Sequence, residues 1–274
     1  MFMAKLKMTA SVVSQAQLAE GIYDLRLKAP EIASQAAAGQ FVSVYSKDGS
    51  RLLPRPISLC GIDKEAGQLR LVYRVAGAGT EEFSALKAGD TVDILGPLGN
   101  GFSLLEGKKA FLIGGGIGIP PMLQLAKELC ALNGSEMVQS VIGYRDSQLF
   151  LKDEFEAYGP VYTATEDGSR GTKGNVLDAI RENGLTADVI YACGPTPMLR
   201  ALKAYAAENN IQCWISLEEK MACGVGACLA CVCQSKEKDE HSHDRLELVA
   251  ATVAEGSADD VATVLFAFTV EREQ

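Results

Sequence analysis

No run of apolar residues in this chain reaches the roughly 18 needed to cross a bilayer, so no membrane-spanning helix is expected. The N-terminal stretch MFMAKLKMTA lacks a long apolar segment followed by a cleavage site, so no secretory signal is read there. Basic residues are outnumbered 26 to 35, for a net charge of −9. Nucleic acid and anionic membrane surfaces both require a basic patch, so neither is an expected partner. Charged residues are scarce too, at 22% against 47% apolar, which excludes a disordered chain. Internal repeats are absent. The expectation is a folded cytoplasmic protein of two or three domains, because 274 residues exceed what one compact core organises.

Cysteine, by contrast, is plentiful. In a reducing compartment the eight cysteines are expected as thiols or metal ligands, not as a disulfide framework. Cys60, Cys130, Cys193 and Cys213 are dispersed and read individually as small buried hydrophobes. The other four crowd into KMACGVGACLACVC, residues 220–233.

The first hundred residues carry strand signals. Tyr23, Leu25 and Leu27 alternate with Asp24 and Arg26, and Leu69, Leu71, Tyr73 and Val75 alternate with more polar neighbours. Period-two patterning between glycine-containing turns predicts antiparallel strands forming a small barrel or sandwich over residues 1–103. Near residue 104 the texture changes. KKAFLIGGGIGIPPMLQLAKELCALNG reads as strand, glycine loop and helix, with Met122, Leu125, Ala126 and Leu129 on one helix face. Strands and helices then alternate to about Cys213, which predicts a parallel, doubly wound sheet over 104–213. The cysteine segment and a tail make up 214–274.

Within the second region, the loop Gly114, Gly115, Gly116, Ile117, Gly118 follows a strand and opens a helix. Bare backbone N–H groups there suit a pyrophosphate or a nicotinamide, although Ile119 occupies the third-glycine position of the dinucleotide fingerprint. A tight structural turn is the alternative. Cys193, Gly194 and Pro195 fall at the carboxyl end of a later strand, where ligands of open α/β sheets collect, or where a structural thiol sits on a turn. In the first region, Arg55 of RPISL offers a fork of donors suited to phosphate, and the Ser58 hydroxyl suits a ring nitrogen. GAGTEEF feeds Thr80 into a helix start, which serves either as a phosphate cradle or as an ordinary cap.

Cys223, Cys228 and Cys231 have the C-x4-C-x2-C spacing of a plant-type [2Fe–2S] loop. Gly224 and Gly226 permit that loop to curl so that backbone N–H groups face the sulfurs. Soft anionic thiolate holds and tunes ferric iron. Zinc favours paired C-x2-C modules, and the chain has one such spacing, so the iron–sulfur reading is preferred.

RPIS, LVYRVAGAGT, GPLGNGF, GGGIGIPP, CGPTPML and EEKMACGVGACLACVC occur together and in order. In this the chain resembles the electron-transfer subunit of class 1B dihydroorotate dehydrogenase, within the ferredoxin–NADP⁺ reductase superfamily, from about residue 5 to about residue 235. The resemblance implies an FAD-binding antiparallel barrel, a parallel-sheet NAD-binding domain and a small C-terminal [2Fe–2S] segment. It implies that Arg55, Pro56, Ile57, Ser58, Val72, Tyr73, Arg74, Gly79 and Thr80 contact FAD. The glycine loop and the Cys193–Pro195 turn would shape the pyridine-nucleotide site, with Cys193 near the nicotinamide. Cys223, Cys228 and Cys231 would ligate the cluster.

The family places a fourth cluster cysteine further along, whereas here no cysteine follows Cys233. Three explanations stand open. The reading frame is lost near His243, so that the tail from about 244 is not native family sequence; or Cys233 substitutes; or Asp239, His241, His243 or Asp244 completes the site. A C-x-C pair in extended chain points its side chains to opposite faces, which counts against Cys233.

By the same resemblance, the expected reaction is NADH oxidation coupled through FAD and [2Fe–2S] to a partner. That partner is an FMN-containing catalytic subunit converting dihydroorotate to orotate in pyrimidine (UMP) biosynthesis, with two copies of each subunit. Two alternatives remain: service to a sulfide dehydrogenase, hydrogenase or ferredoxin:NADP⁺ reductase complex, and a binding module that kept the nucleotide fold without its cluster. NADH is favoured over NADPH by resemblance only.

Overall fold

The computed structural model describes residues 5–217, 221–228, 231–234, 246–248 and 262–265. The chain divides into two compact units, one built on a barrel together with the cysteine segment, the other on a parallel sheet.

The barrel closes six antiparallel strands: β1 (Leu6–Ala19), β2 (Ile22–Lys28), β3 (Phe41–Val44), β4 (Arg55–Asp63), β5 (Gln68–Arg74) and β6 (Thr91–Leu98), in the order β1-β2-β5-β4-β3-β6. Closure leaves no unpaired sheet edge. The period-two pattern sets the inward face, since Leu25, Leu27, Leu69 and Leu71 are wholly buried in one core with Ile57, Leu59, Tyr73 and Phe83. Truncating one such leucine to alanine costs about 2–5 kcal/mol. Asp24, on the opposite pleat from Leu25, is not simply solvated. Arg70 grips it through Nε at 3.0 Å to both oxygens and through a terminal nitrogen at 2.8 Å, pairing two charges across neighbouring strands. Two short helices interrupt the barrel, α1 (Pro30–Gln35) and α2 (Ala78–Ser84).

The second unit follows the predicted alternation: β7 (Ala110–Gly115), α3 (Ile119–Asn133), β8 (Val138–Tyr144), α4 (Lys152–Phe155), β9 (Val161–Thr165), β10 (Thr172–Lys173), α5 (Val176–Glu182), β11 (Val189–Cys193), α6 (Thr196–Asn209) and β12 (Gln212–Leu217). The parallel strands run β10-β9-β8-β7-β11-β12. The strand that follows α6 continues through Cys213 to Leu217. The expected helix face is buried, with Met122, Leu125, Ala126 and Leu129 nearly or wholly inaccessible. Pro120 and Pro121 open α3, where a missing N–H removes no intrahelical bond. On the other face, α5 and α6 pack Val176, Ile180, Leu199 and Leu202 against Phe111, Ile113, Ile190 and Ala192. A two-stranded ladder pairs β13 (Val232–Gln234) with β14 (Leu246–Leu248), and β15 (Ala262–Leu265) lies at the edge of the parallel sheet beyond β12.

Candidate functional site

The order of the parallel strands fixes where a ligand can enter the second unit. β7 comes first in the chain, the next strand pairs on one side of it and β11 on the other, so the topological switch lies between β7 and β11. Crevices open beyond the carboxyl ends of the strands at such a switch. Cys193, the last residue of β11, lies in register with Gly114, one residue before the end of β7.

The turns that follow interlock through bare backbone. A β-carbon on Gly114 would lie 2.9 Å from the Ile119 α-carbon, and one on Gly115 would lie 2.7 Å from the Met198 sulfur and 3.1 Å from Pro195. On Gly118 it would lie 2.5 Å from the Cys193 carbonyl carbon and 2.6 Å from the Gly194 nitrogen. Gly116 and Gly194 have positive φ, 54° and 154°, which side chains seldom tolerate. Cys193 is 1% exposed. The predicted glycines and the Cys193–Pro195 turn are thus brought together into one backbone-lined floor.

In the barrel unit the predicted residues divide between two faces. Ile57 and Tyr73 point into the core, and the Tyr73 hydroxyl donates to Gln15 Oε1 at 3.1 Å. Burial, followed by the neighbouring Tyr23, pushes the Tyr73 phenol above its ordinary range. What these two positions can offer a ligand is therefore backbone. Pro56, Ser58 and Val72 are buried on the opposite pleat, and Arg74 is exposed. Ser58 is 2% exposed, yet its hydroxyl has no hydrogen-bond partner among the described residues. An unpaired buried hydroxyl costs about 1–3 kcal/mol, which a flavin ring nitrogen would relieve.

Arg55, also buried, lies flat on Gly79: a β-carbon there would be 2.7 Å from the Arg55 Nε and 2.8 Å from its Cζ. Its guanidinium also donates to the Leu53 carbonyl. Thr80 sits in the first turn of α2, where its hydroxyl accepts from the Ala76 and Gly77 N–H groups at 2.9 and 3.2 Å and donates to the Gly77 carbonyl. That is the capping alternative read from the sequence.

The cysteine loop is seated on the barrel. Gly224 and Gly226 have φ of 67° and 83°, and the curl they allow aims the Val225 and Ala227 N–H groups at the Cys223 sulfur, 3.4 and 3.3 Å away. Burial raises the Cys223 pKa, but the Val225 and Cys228 N–H groups, the Cys228 thiol and the Ala227 N–H outweigh it and bring the value down to about 6. A thiol so held is a thiolate at neutral pH, the form that binds iron. The loop is fixed from below by Gly224 against Ser43, Leu98 and Phe41, and by Lys5, whose Nζ donates to the Val225 carbonyl at 3.0 Å.

Cys228 is exposed and Cys231 buried, and none of the seven cysteines whose side chains are described is in a disulfide. Among the described residues no three cysteine, histidine, aspartate or glutamate side chains are grouped closely enough to hold a metal ion. The Cys233 side chain and residues Asp239, His241, His243 and Asp244 lie outside the described residues.

Sequence reasoning missed Gln15, Lys5, Arg51 and Glu82. Gln15 donates to the Phe83, Ser84 and Leu86 carbonyls at 3.0, 2.9 and 3.0 Å and so closes the end of α2. Glu82 sits inside GAGTEEF, which reads as a motif through Thr80 alone, and the other three belong to no motif; the roles of all four appear only through partners far away in sequence.

Comparison with known proteins agrees with this layout. The family model for an oxidoreductase FAD-binding domain matches residues 9–102, that for an oxidoreductase NAD-binding domain matches 112–204, and that for the iron–sulfur cluster binding domain of dihydroorotate dehydrogenase B matches 218–246. The chain is 45% identical over 229 residues to the dihydroorotate dehydrogenase B (NAD(+)) electron transfer subunit of Geobacillus sp. (strain WCH70), covering 82% of this chain and 88% of that one. The subunit of the same name from Bacillus caldolyticus is 48% identical over 228 residues, covering 81% and 87%. Among solved structures, that of an NADH-dependent reduced ferredoxin–NADP oxidoreductase superposes with a TM-score of 0.80 at 29% identity, covering 92% of this chain and 89% of the other. With FAD-, NAD- and cluster-binding domains in this order and relatives this similar along four-fifths of its length, the chain belongs to the family of dihydroorotate dehydrogenase B (NAD(+)) electron transfer subunits.

Proposed function

We propose that this chain takes electrons from NADH and delivers them, through FAD and a [2Fe–2S] cluster, to an FMN-containing catalytic subunit that converts dihydroorotate to orotate in UMP biosynthesis. The assembly holds two copies of each subunit and works in the cytoplasm. The observation that supports this best is the presence of all three cofactor-binding domains on one chain, together with relatives 45–48% identical to it.

When bound, FAD accepts two electrons as a hydride and releases them singly, which a one-electron cluster requires. The residues of the chain do the holding. Arg55 presents its guanidinium to the phosphates beside Gly79 and Thr80, and the Ser58 hydroxyl bonds the ring. Pro56, Val72 and Arg74 line the same side, with backbone contributed at Ile57 and Tyr73. Gly114, Gly115, Gly116 and Gly118, with Cys193, Gly194 and Pro195, receive the pyridine nucleotide on the backbone floor that their interlocked turns make. Cys223, Cys228 and Cys231 would hold the cluster as thiolates, with the fourth ligand open: Cys233, one of Asp239, His241, His243 and Asp244, or a residue lost with the reading frame near His243.

An absorbance spectrum with iron analysis on the purified chain tests this directly, followed by anaerobic reduction with NADH. Flavin and cluster absorbance with NADH-dependent bleaching is the expected result. A chain that takes up no FAD supplied in excess would end the proposal.

A second reading has its own observation, that no cysteine follows Cys233. On it, FAD binds and NADH reduces it while onward transfer fails. Its signature is NADH–dye reductase activity without dihydroorotate-linked turnover, and a fully occupied cluster would rule it out.

A further inference from the structure

Separate stretches of the barrel unit converge on Glu82. Its carboxylate accepts from the Ser46 hydroxyl, from the Lys47 backbone N–H at 2.7 Å and from the Arg51 guanidinium at 2.7 Å. The same Arg51 nitrogen donates to the Ala78 carbonyl at 2.9 Å, and Arg51 Nε lies 3.5 Å from Asp48. Asp48 in turn accepts from the Ser50 N–H and hydroxyl at 2.9 and 2.8 Å, closing the turn. The connection between β3 and β4 is therefore fastened to α2 at two points, Ala78 and Glu82. Burial acts to raise the Glu82 pKa, but bonds from Ser46, Lys47 and Arg51 outweigh it and hold the carboxyl below its ordinary value, so the hub stays charged at neutral pH.

Arg55 stands where this connection ends. One side of its guanidinium is engaged by the Leu53 carbonyl, which belongs to the fastened stretch, and the other lies on Gly79, which belongs to the helix it is fastened to. A guanidinium discriminates by direction: its planar fork matches phosphate oxygens only when correctly turned. Whatever fixes the stretch 46–53 on α2 thereby fixes the aim of Arg55.

We propose that Glu82 is a positioning residue for the phosphate end of the bound dinucleotide, acting through the 46–53 connection to orient Arg55. This rests on the reading above in which Arg55 meets FAD. Its consequence is selective. Loss of Glu82 weakens ligands that carry phosphate and spares a flavin that carries none, because Ser58 and Val72, further along their strands, do not depend on the hub.

The test titrates the flavin-stripped full-length chain with FAD and with riboflavin, following flavin fluorescence, for wild type, Glu82→Gln, Ser46→Ala and a control, Glu65→Gln, at an exposed position in the β4–β5 turn. Far-UV circular dichroism confirms that each variant is folded. Glu82→Gln is expected to weaken FAD about tenfold, the size of a lost charge-assisted hydrogen bond, and riboflavin less than twofold. Ser46→Ala, which removes one donor and leaves the ion pair, is expected to weaken FAD about twofold with riboflavin unchanged, and Glu65→Gln to match wild type. Equal losses for FAD and riboflavin would reduce Glu82 to a fold-holding residue and overturn the proposal, as would unchanged FAD affinity in both Glu82→Gln and Ser46→Ala. Wild type that takes up no FAD would overturn the functional reading itself, and this inference with it.

Discussion

Gly118 meets the peptide of Cys193 with nothing between them: a β-carbon on Gly118 would lie 2.5 Å from the Cys193 carbonyl carbon. Two turns that end neighbouring strands are thus locked at the switch point of the sheet. Substituting Gly118→Ala forces them apart, because backbone, unlike the end of a long side chain, cannot step aside. Reduction of bound flavin by NADH is expected to slow at least tenfold at fixed NADH in anaerobic stopped flow, with flavin content unchanged. Wild-type reduction kinetics in Gly118→Ala would show that the pyridine nucleotide does not use this floor.

Ser58 gives a prediction whose sign changes with the ligand. Its hydroxyl is buried without a partner among the described residues, so in flavin-free protein Ser58→Ala removes an unsatisfied group and leaves stability equal or up to about 1 kcal/mol higher. With FAD bound the same change deletes a hydrogen bond and lowers stability. Thermal unfolding of both forms reads the two signs. The same sign in both forms would place the flavin elsewhere.

Acid should release the hub at Glu82. Its carboxyl sits below the ordinary value of 4.5, so the stabilisation it gives is complete above the unfolded value and is lost as pH falls through the lower folded one. The difference in unfolding temperature between wild type and Glu82→Gln should therefore be widest near neutrality and close on acidification. A difference that stays constant into acid would contradict the assignment.

Gly224 is constrained twice, by φ of 67° and by neighbours 3.0 Å (Ser43 Oγ) and 3.1 Å (Leu98 Cδ1) from where a β-carbon would be. Gly224→Ala should lift the cysteine loop from the barrel and cut iron content at least twofold while flavin content holds. Cys228→Ser, which removes a thiolate instead of its seat, should abolish bound iron. Full iron in Gly224→Ala would mean that the loop assembles its cluster without the barrel beneath it.

Much of this molecule is legible along the chain. Alternation at Leu25, Leu27, Leu69 and Leu71 gives the strands and their inward face, because a strand turns alternate residues to one side. The strand, glycine loop and helix of residues 110–133 give the doubly wound unit, because only glycine admits such close turns. Legibility fails where both pleats are buried. Val72 and Tyr73 read alike as candidates for flavin contact, yet the barrel takes the Tyr73 side chain for its core and bonds its hydroxyl to Gln15. At Thr80 the sequence leaves phosphate cradle and cap equally open, and the structure shows the hydroxyl capping its own helix.

The sequence by itself determined the strand and helix periods, the glycine turns and the thiol spacing, because each is a relation among residues a few positions apart, set by backbone sterics and side-chain chemistry. Only the tertiary structure decided which groups those local features face. Glu82 finds Lys47 across 35 residues, Gln15 finds Phe83 across 68, and Lys5 finds Val225 across 220. The first two follow from how the barrel closes and the third from the seating of the cysteine loop on it, and closure is a property of all six strands at once, which no short window of residues encodes.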